Sequence, residues 1–190
     1  MGNKGDNNRQ RIVDAADQLF YTRGYNQTSF RDISLTTGIP RGNFYYYFKT
    51  KDDILSAVIE SRVKFYSEML AQCESVAAQP TGRLLAFADM LETLSDNIVE
   101  VGCPIGSLTA ELAKDEPHLH KKSREIFELL RDWLEGNFNA IGVSQPKEAA
   151  MDMLAHIQGV SMMACAFKDR AYMHRGLEAV RTKLRKLTLN

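Results

Sequence analysis

The 190-residue chain has no long apolar run, and this absence excludes a membrane-spanning protein. No stretch approaches the roughly 18–20 consecutive apolar residues that a transmembrane helix needs. The first residues, MGNKGDNNRQR, contain no apolar segment of the kind found in a secretory signal. Cysteine is scarce: Cys73, Cys103 and Cys165 are odd in number and far apart, which argues against a disulfide framework. These features predict a cytoplasmic protein without membrane contact.

Net charge is also absent, because 24 Lys and Arg balance 24 Asp and Glu. The balance differs along the chain. Residues 1–64 contain 10 Lys and Arg against 7 Asp and Glu, whereas residues 65–190 contain 14 against 17. A polyanionic partner is therefore expected at the first third of the chain.

Alternating strand patterns are missing, whereas apolar residues recur at helical spacing throughout. Ser29–Asp32 and Thr50–Asp53 have the spacing of capping boxes, which begin helices. We expect Ser144 to cap the eighth helix and the ninth to run from about His174 to Leu187. The predicted fold class is all-α with nine helices, the first three short and clustered. A DNA-binding domain is predicted at residues 1–50 and an effector-binding and dimerisation domain at residues 51–190.

The third predicted helix, Arg41 to about Phe48, contains five consecutive aromatic residues. At about 100° per residue, one side of this helix is cationic, phenolic and small, and the other is aromatic. Phe44, Tyr47 and Phe48 fall on the aromatic side, with Asn43 at the border. The opposite side carries Arg41, Gly42, Tyr45 and Tyr46.

This cationic side has the chemistry that suits DNA. Arginine bonds guanine edges, glycine lets the backbone approach, and phenols reach phosphates or thymine methyl groups. A preceding short helix and a glycine turn complete a helix-turn-helix arrangement. The alternative is that the tyrosines fill the core of a three-helix unit.

Lys51 places a cation beside the start of the fourth helix. Thr28 and Ser29 lie at the start of the second helix, where they serve equally well as plain caps. The predicted DNA-binding residues are Thr28, Ser29, Arg41, Gly42, Asn43, Tyr45, Tyr46 and Lys51.

The segment from Phe30 to Leu55 resembles the DNA-binding domain of the tetracycline-repressor (TetR) family, and the match covers about residues 9–55. The turn, the recognition helix and the following Lys51-Asp52-Asp53-Ile54 keep the family's register. The departures from the usual pattern are Pro40, Arg41, Asn43 and Tyr46, which concern the bases that are recognised. The resemblance implies a homodimer in which the last two long helices of each subunit form a four-helix interface.

The eighth predicted helix supports this interface independently. Residues 153–167 contain no Asp, Glu, Lys or Arg, and several of them are small. A helix this free of charge is expected to be buried on nearly all sides, by its own core and by a partner. Two recognition helices in a dimer would bind a near-palindromic double-stranded operator.

The effector region has one distinctive segment, Gly102-Cys103-Pro104, which precedes a predicted helix. A thiolate at a helix N-terminus is favoured by the helix dipole, so Cys103 is a candidate sensor of oxidants or electrophiles. The segment resembles the Gly-Cys region of TetR-family regulators that sense such compounds. The alternative is a small apolar cysteine packed at a helix junction. Side chains that could line an effector cavity, or belong to the core, are Met90, Leu94, Phe127, Trp133, His156, Met162 and Met163.

The leading hypothesis is a transcriptional regulator, a repressor that leaves its operator on binding a small molecule or on modification of a cysteine. An enzyme with Cys103 as nucleophile and His118 or His156 as base lacks oxyanion donors and an orienting third group. An all-α adaptor that binds only protein would leave the cationic side of the third helix without a purpose.

No cofactor is predicted. No metal site is predicted either, because His118 and His120 are two residues apart and point in different directions on a helix.

Overall fold

Ten helices make up the described part of the chain. The computed structural model describes the backbone of residues 2–187, and the side chains of these residues other than 2–6, 41 and 115. No strand occurs among them, which confirms the all-α class. The helices are α1 (Gly2–Arg23), α2 (Phe30–Thr37), α3 (Arg41–Tyr47), α4 (Lys51–Val76), α5 (Pro80–Thr93), α6 (Ser95–Val101), α7 (Pro104–Asp115), α8 (Pro117–Ile141), α9 (Pro146–Phe167) and α10 (Arg170–Lys186).

One predicted helix is divided in two, which accounts for ten described helices where the sequence predicts nine. The interruption is at Leu94, whose N–H bonds the carbonyl of Leu91 at 3.2 Å instead of continuing the α-helical pattern. α6 then begins at Ser95. Neither glycine nor proline lies between Arg83 and Ile98, so the strongest sequence signals for a break are missing here.

The starts of the last two helices differ from the prediction. α9 begins with Pro146 after Gln145, which makes no side-chain capping bond, so Ser144 is not its cap. Proline suits the first helical position because its missing N–H would have no partner there. α10 begins at Arg170, earlier than predicted, because the Asp169 side chain accepts a hydrogen bond from the Tyr172 N–H at 2.8 Å.

Contacts divide the chain into two compact units, which we call the first unit (residues 1–64 and 107–125) and the second unit (residues 65–106 and 126–190). The division by packing differs from the predicted functional boundary after residue 50. The core of the first unit joins α1, α2, α3 and the start of α4 to residues from α7 and α8. Its largest fully buried side chains include Tyr25, Phe44 and Ile59.

The second unit is built around α5, α6, α9 and α10. α9 and α10 approach closely at Gly176, where an added Cβ would lie 2.4 Å from Val160 Cγ1. Arg181 of α10 is buried and donates to Asp89 at 2.8 Å and to Glu92 at 3.1 Å, both on α5. A buried guanidinium with carboxylate partners meets the requirement that a buried charge be paired, and the two partners on α5 fix α10 against that helix.

Candidate nucleic-acid interface

α2 and α3 form a helix-turn-helix whose ends are set by local bonds. Ser29 accepts the Asp32 N–H, and the Asp32 carboxylate accepts the Ser29 N–H, which confirms the predicted capping box. The hydrogen bonds from Ser29 hold the pKa of Asp32 below its usual value. Gly38 ends α2 in the left-handed region, with φ of 67°, which glycine adopts without steric cost. The Arg11 side chain reinforces this end by donating to the Thr37 carbonyl at 2.7 Å.

α3 has one buried and one exposed side, as the aromatic spacing predicts. Phe44 is fully buried and Phe48 is 3% exposed, whereas Tyr45 and Tyr46 are 50% and 81% exposed. We call the exposed residues Gly42, Asn43, Tyr45 and Tyr46 the outer face of α3. Their exposure excludes the alternative that Tyr45 and Tyr46 fill the core, whereas Tyr47 is half-buried and packs against the core.

Aromatic neighbours hold the two exposed tyrosines. Tyr45 stacks on Phe30 of α2, with ring centroids 6.0 Å apart and planes 15° apart. Tyr46 meets Tyr47 edge to face at 5.0 Å. Contact with a neighbouring ring restricts the orientation of each tyrosine, so the outer face of α3 is an ordered surface. The hydroxyl group and the opposite side of each ring stay available for a ligand.

Arg41 is the first residue of α3, but its side chain lies outside the described residues. Its contact with DNA therefore stays a prediction. Asn43, which the spacing leaves at the border of the two sides, is exposed together with the tyrosines.

Thr28 and Ser29 have structural roles in this conformation. Thr28 is 2% exposed, and its hydroxyl donates to the Gly24 carbonyl at 2.8 Å. Ser29 is exposed, but its side chain is engaged in the cap of α2. The capping alternative describes Ser29 alone, because Thr28 bonds back to the preceding turn. Thr28 is also buried, so it is not placed for direct contact with a ligand.

The Lys51 side chain turns toward Tyr25 of the same unit. A phosphate contact would require its ammonium to point into the solvent. Its ammonium donates to the Tyr25 carbonyl at 2.9 Å and lies 4.0 Å from the centroid of the Tyr25 ring. Burial lowers its pKa, and the carboxylates of Asp52 and Glu111 partly oppose that effect. The expectation that Lys51 presents its charge to DNA is not supported by this placement.

The second capping box, at the start of α4, is confirmed. Asp53 accepts the Thr50 N–H at 2.9 Å, and Thr50 accepts the Asp53 N–H at 3.0 Å. The hydrogen bonds from Thr50 hold the pKa of Asp53 below its usual value. These bonds fix the end of the loop between α3 and α4 to the first turn of α4.

Cys103 lies half-buried immediately before α7, as predicted. Its Sγ accepts the Gly106 N–H at 3.5 Å, in the manner of a helix cap. Gly106 leaves room for Gln158 of α9, since an added Cβ would lie 2.5 Å from the Gln158 Oε1. Cys73, in contrast, is buried beside Met90, and burial raises the pKa of its thiol.

The residues predicted to line one effector cavity are distributed over two separate cavities of the second unit, and some line neither. Met90 and Leu94 line a groove of about 300 Å³ with Phe65 and Met69. His156 lines a separate cleft of about 540 Å³ between α9 and α10, where Lys183 is also present. Phe127 and Trp133 line neither, and Met162 and Met163 are exposed on α9.

Three side chains with metal-ligating atoms come together in the first unit, namely Asp52, Glu116 and His118. His118 lies 3.3 Å from Asp52 and 3.9 Å from Glu116, through its two different ring nitrogens. Asp52 also accepts the Tyr25 hydroxyl. Burial and this bond to Asp52 raise the pKa of Tyr25. The group is thus accounted for by contacts among its own members and Tyr25.

No helix within residues 2–187 combines the length and the apolar character that crossing a membrane requires.

Models of two protein families match the chain. Residues 12–58 match the bacterial regulatory proteins of the tetR family, and residues 82–178 match the C-terminal domain of LmrA/YxaF-like transcriptional regulators. The first match contains the helix-turn-helix and the outer face of α3. The second covers about half of the chain and lies outside the helix-turn-helix.

Individual proteins are similar over most of the chain. An uncharacterized HTH-type transcriptional regulator in the lacX 3′ region of Lactococcus lactis subsp. lactis is 29% identical over 188 residues, 95% of each chain. The HTH-type transcriptional repressor DhaR of Mycobacterium sp. (strain GP1) is 30% identical over 125 residues, 63% of this chain and 60% of the relative. The crystal structure of a TetR transcriptional regulator from Chloroflexus aurantiacus J-10-FL is similar in fold, with a TM-score of 0.84 at 22% identity over 96% of both chains.

Proposed function

The chain belongs to the TetR family of transcriptional regulators, and from this we propose that it is a cytoplasmic repressor that binds a near-palindromic operator as a homodimer. We further propose that a small molecule, or modification of Cys103, releases the operator. The observation that carries the proposal is the outer face of α3. It exposes Gly42, Asn43, Tyr45 and Tyr46 on a short helix whose other side is anchored in the core.

The proposed repression draws on the name of one relative, the transcriptional repressor DhaR. The proposed dimer draws on α9. One side of that helix exposes large apolar residues to solvent in the single chain, including Met162 at 68% and Phe167 at 77%. Large apolar side chains exposed together on one side of a helix are typical of an interaction site. We call the exposed uncharged residues of this side the outer face of α9: Met151, Ala155, Gly159, Met162, Met163, Ala166 and Phe167.

The proposal is tested by selecting a duplex from a random pool and measuring its affinity by fluorescence anisotropy at several salt concentrations. A steep decrease in affinity with salt is expected, because each phosphate contact releases counterions, with a slope of about −0.9 per phosphate. The half-sites of the selected duplex should be related by a two-fold axis. Equal affinity for selected and random duplexes would contradict the proposed operator binding.

Arg41→Ala is expected to lower the affinity for the selected duplex by about 1–3 kcal/mol, because bidentate contacts of arginine to guanine have this value. Arg131→Ala is the matched control, since it removes an equal charge from α8, where Arg131 pairs with Asp132. The same anisotropy titration measures both variants. Wild-type affinity in Arg41→Ala would remove Arg41 from the base-contacting residues.

Modification of Cys103 is expected to release the operator. Methyl methanethiosulfonate transfers a methylthio group to a thiolate and releases methanesulfinate, and dithiothreitol reverses the transfer. We expect an affinity loss of about 5- to 150-fold, the usual range of coupling between two sites. Cys103→Ser should be insensitive, whereas Cys165→Ser should respond like the wild type. Release that persists in Cys103→Ser would reject the cysteine sensor and leave a non-covalent effector.

A further inference from the structure

The turn between α1 and α2, residues 24–29, is held by polar contacts from two other helices. Glu111 of α7 accepts the Tyr25 N–H at 3.0 Å and the Asn26 N–H at 2.8 Å. Lys51 of α4 donates to the Tyr25 carbonyl at 2.9 Å. Asp52, also of α4, accepts the Tyr25 hydroxyl. Every polar group of Tyr25 is therefore bonded to a side chain distant in sequence, and all of these residues belong to the first unit.

Two separate features of the turn require glycine at position 24. Its φ of 90° lies in the left-handed region, which residues with a Cβ adopt at a steric cost. An added Cβ would also lie 3.1 Å from the Glu111 Oε2, closer than ordinary contact. The glycine thus allows the chain to turn and allows the Glu111 carboxylate to reach the two N–H groups behind it.

The orientation of this turn determines where α2 begins. Thr28 bonds back to Gly24, and the cap of α2 follows directly at Ser29. α2 in turn contacts α3, and Phe30 of α2 packs against Phe44 and Tyr45 of α3. A change in the position of the turn therefore reaches the outer face of α3 through packed side chains.

We propose that Glu111 is a positioning residue for operator binding, through which α7 holds the α1–α2 turn and thereby the recognition helix. A carboxylate that accepts two N–H groups makes bonds about twice as strong as neutral ones, so it orients the turn more firmly than water would. The inference rests on the proposed operator binding. Glu111, which lies 70 positions after Arg41, thereby joins the residues proposed to determine operator binding.

Glu111→Gln tests the inference, with Glu125→Gln as the matched control. The glutamine has one acceptor oxygen and no charge, so it cannot hold both N–H groups as the carboxylate does. We expect about a tenfold loss of affinity for the selected duplex. The affinity for random duplex at low salt should stay within about twofold of the wild type, because phosphate contacts alone support it. Glu125 is an exposed glutamate of α8, and its variant should keep both affinities.

The ratio of the two affinities separates positioning from a general structural role. A variant that merely lowers stability would leave the ratio of selected to random binding unchanged in the folded fraction, and that result would overturn the proposal. Hydrogen–deuterium exchange gives a second measurement, in which the Tyr25 and Asn26 amides should exchange faster in Glu111→Gln than in Glu125→Gln. If Glu111→Gln does not fold, Glu111→Asp carries the same test with the charge kept and the reach shortened.

A double-mutant cycle with Gly24→Ala tests the contact itself. Gly24→Ala should lower the melting temperature, and the decrease should be smaller in a Glu111→Ala background, where the carboxylate no longer occupies the space. An equal decrease in both backgrounds would contradict the contact. If the wild type fails to distinguish selected from random DNA, the proposed function fails. If the wild type distinguishes them and Glu111→Gln does so equally well, only the present inference fails.

Discussion

Replacing Gly159 with arginine is expected to separate the proposed dimer and to lower operator affinity by about a hundredfold or more. Gly159 lies in the middle of the outer face of α9, and an added Cβ there would meet no atom within 4 Å in the single chain. The arginine therefore leaves the subunit fold undisturbed, and glycine is in any case a poor helix former. In a dimer formed by this face, the guanidinium would be buried opposite its own copy without a partner, which costs several kcal/mol.

The loss of affinity follows from the loss of one recognition helix. A monomer contacts one half-site only, whereas a dimer binds the second half-site at the high effective concentration that the linkage provides, which is worth a factor of about 10² to 10⁴. Arginine adds a positive charge, which by itself favours DNA. A decrease in affinity would thus oppose the simple electrostatic effect of the substitution.

Gly136→Arg is the matched control for this experiment. Gly136 lies within α8, is exposed, and likewise has no atom within 4 Å of an added Cβ. Light scattering after size-exclusion chromatography measures the mass, and anisotropy measures the affinity. We expect a monomer for Gly159→Arg and a dimer for Gly136→Arg. A dimeric Gly159→Arg variant with wild-type affinity would place the interface elsewhere.

Phe44→Ala and Tyr46→Ala are expected to separate folding from recognition within a single helix. Phe44 is fully buried, with its ring 6.1 Å from that of Phe30, so its truncation leaves a cavity and costs about 3–5 kcal/mol of unfolding free energy. Tyr46 is 81% exposed, so its truncation should change stability by only about 0.5 kcal/mol. The affinity of Tyr46→Ala for the selected duplex should fall by about tenfold, because the proposed interface with DNA includes this phenol.

Urea unfolding followed by circular dichroism measures the first effect, and anisotropy at a temperature where both variants are folded measures the second. Each variant is the control for the other, because both remove an aromatic ring from the same seven-residue helix. If Tyr46→Ala binds the selected duplex like the wild type, the outer face of α3 does not contact DNA through this residue. If Phe44→Ala is as stable as the wild type, the assignment of the two sides is wrong.

Local features of the fold could be predicted from the sequence because their partners are close in the chain. Both capping boxes join residues three positions apart, and the two sides of α3 follow from helical periodicity over eight residues. Gly24 and Gly38 have the positive φ that their positions after a helix indicate. Such features depend on backbone geometry that a few neighbouring residues determine.

Contacts between distant residues could not be predicted. Lys51 bonds Tyr25 across 26 positions, and Glu111 bonds it across 86. Nothing in the local pattern distinguishes this lysine from one that faces solvent, so its contact with Tyr25 was not foreseen, and its contact with DNA stays a prediction. The distribution of Met90, Leu94 and His156 over two cavities has the same cause, because their placement depends on how helices pack.

Trp133 gives the second unit an optical property of its own. It is the single tryptophan of the chain, its indole N–H donates to Glu74 at 2.9 Å, and its ring lies 5.7 Å from that of Phe87. Selective excitation of tryptophan therefore reports on one location, where α8 meets α4 and α5. The emission wavelength of an indole depends on the polarity and the hydrogen bonds around it. A rearrangement of these helices on adding a compound would be visible in the unlabelled protein, without DNA and without a substitution.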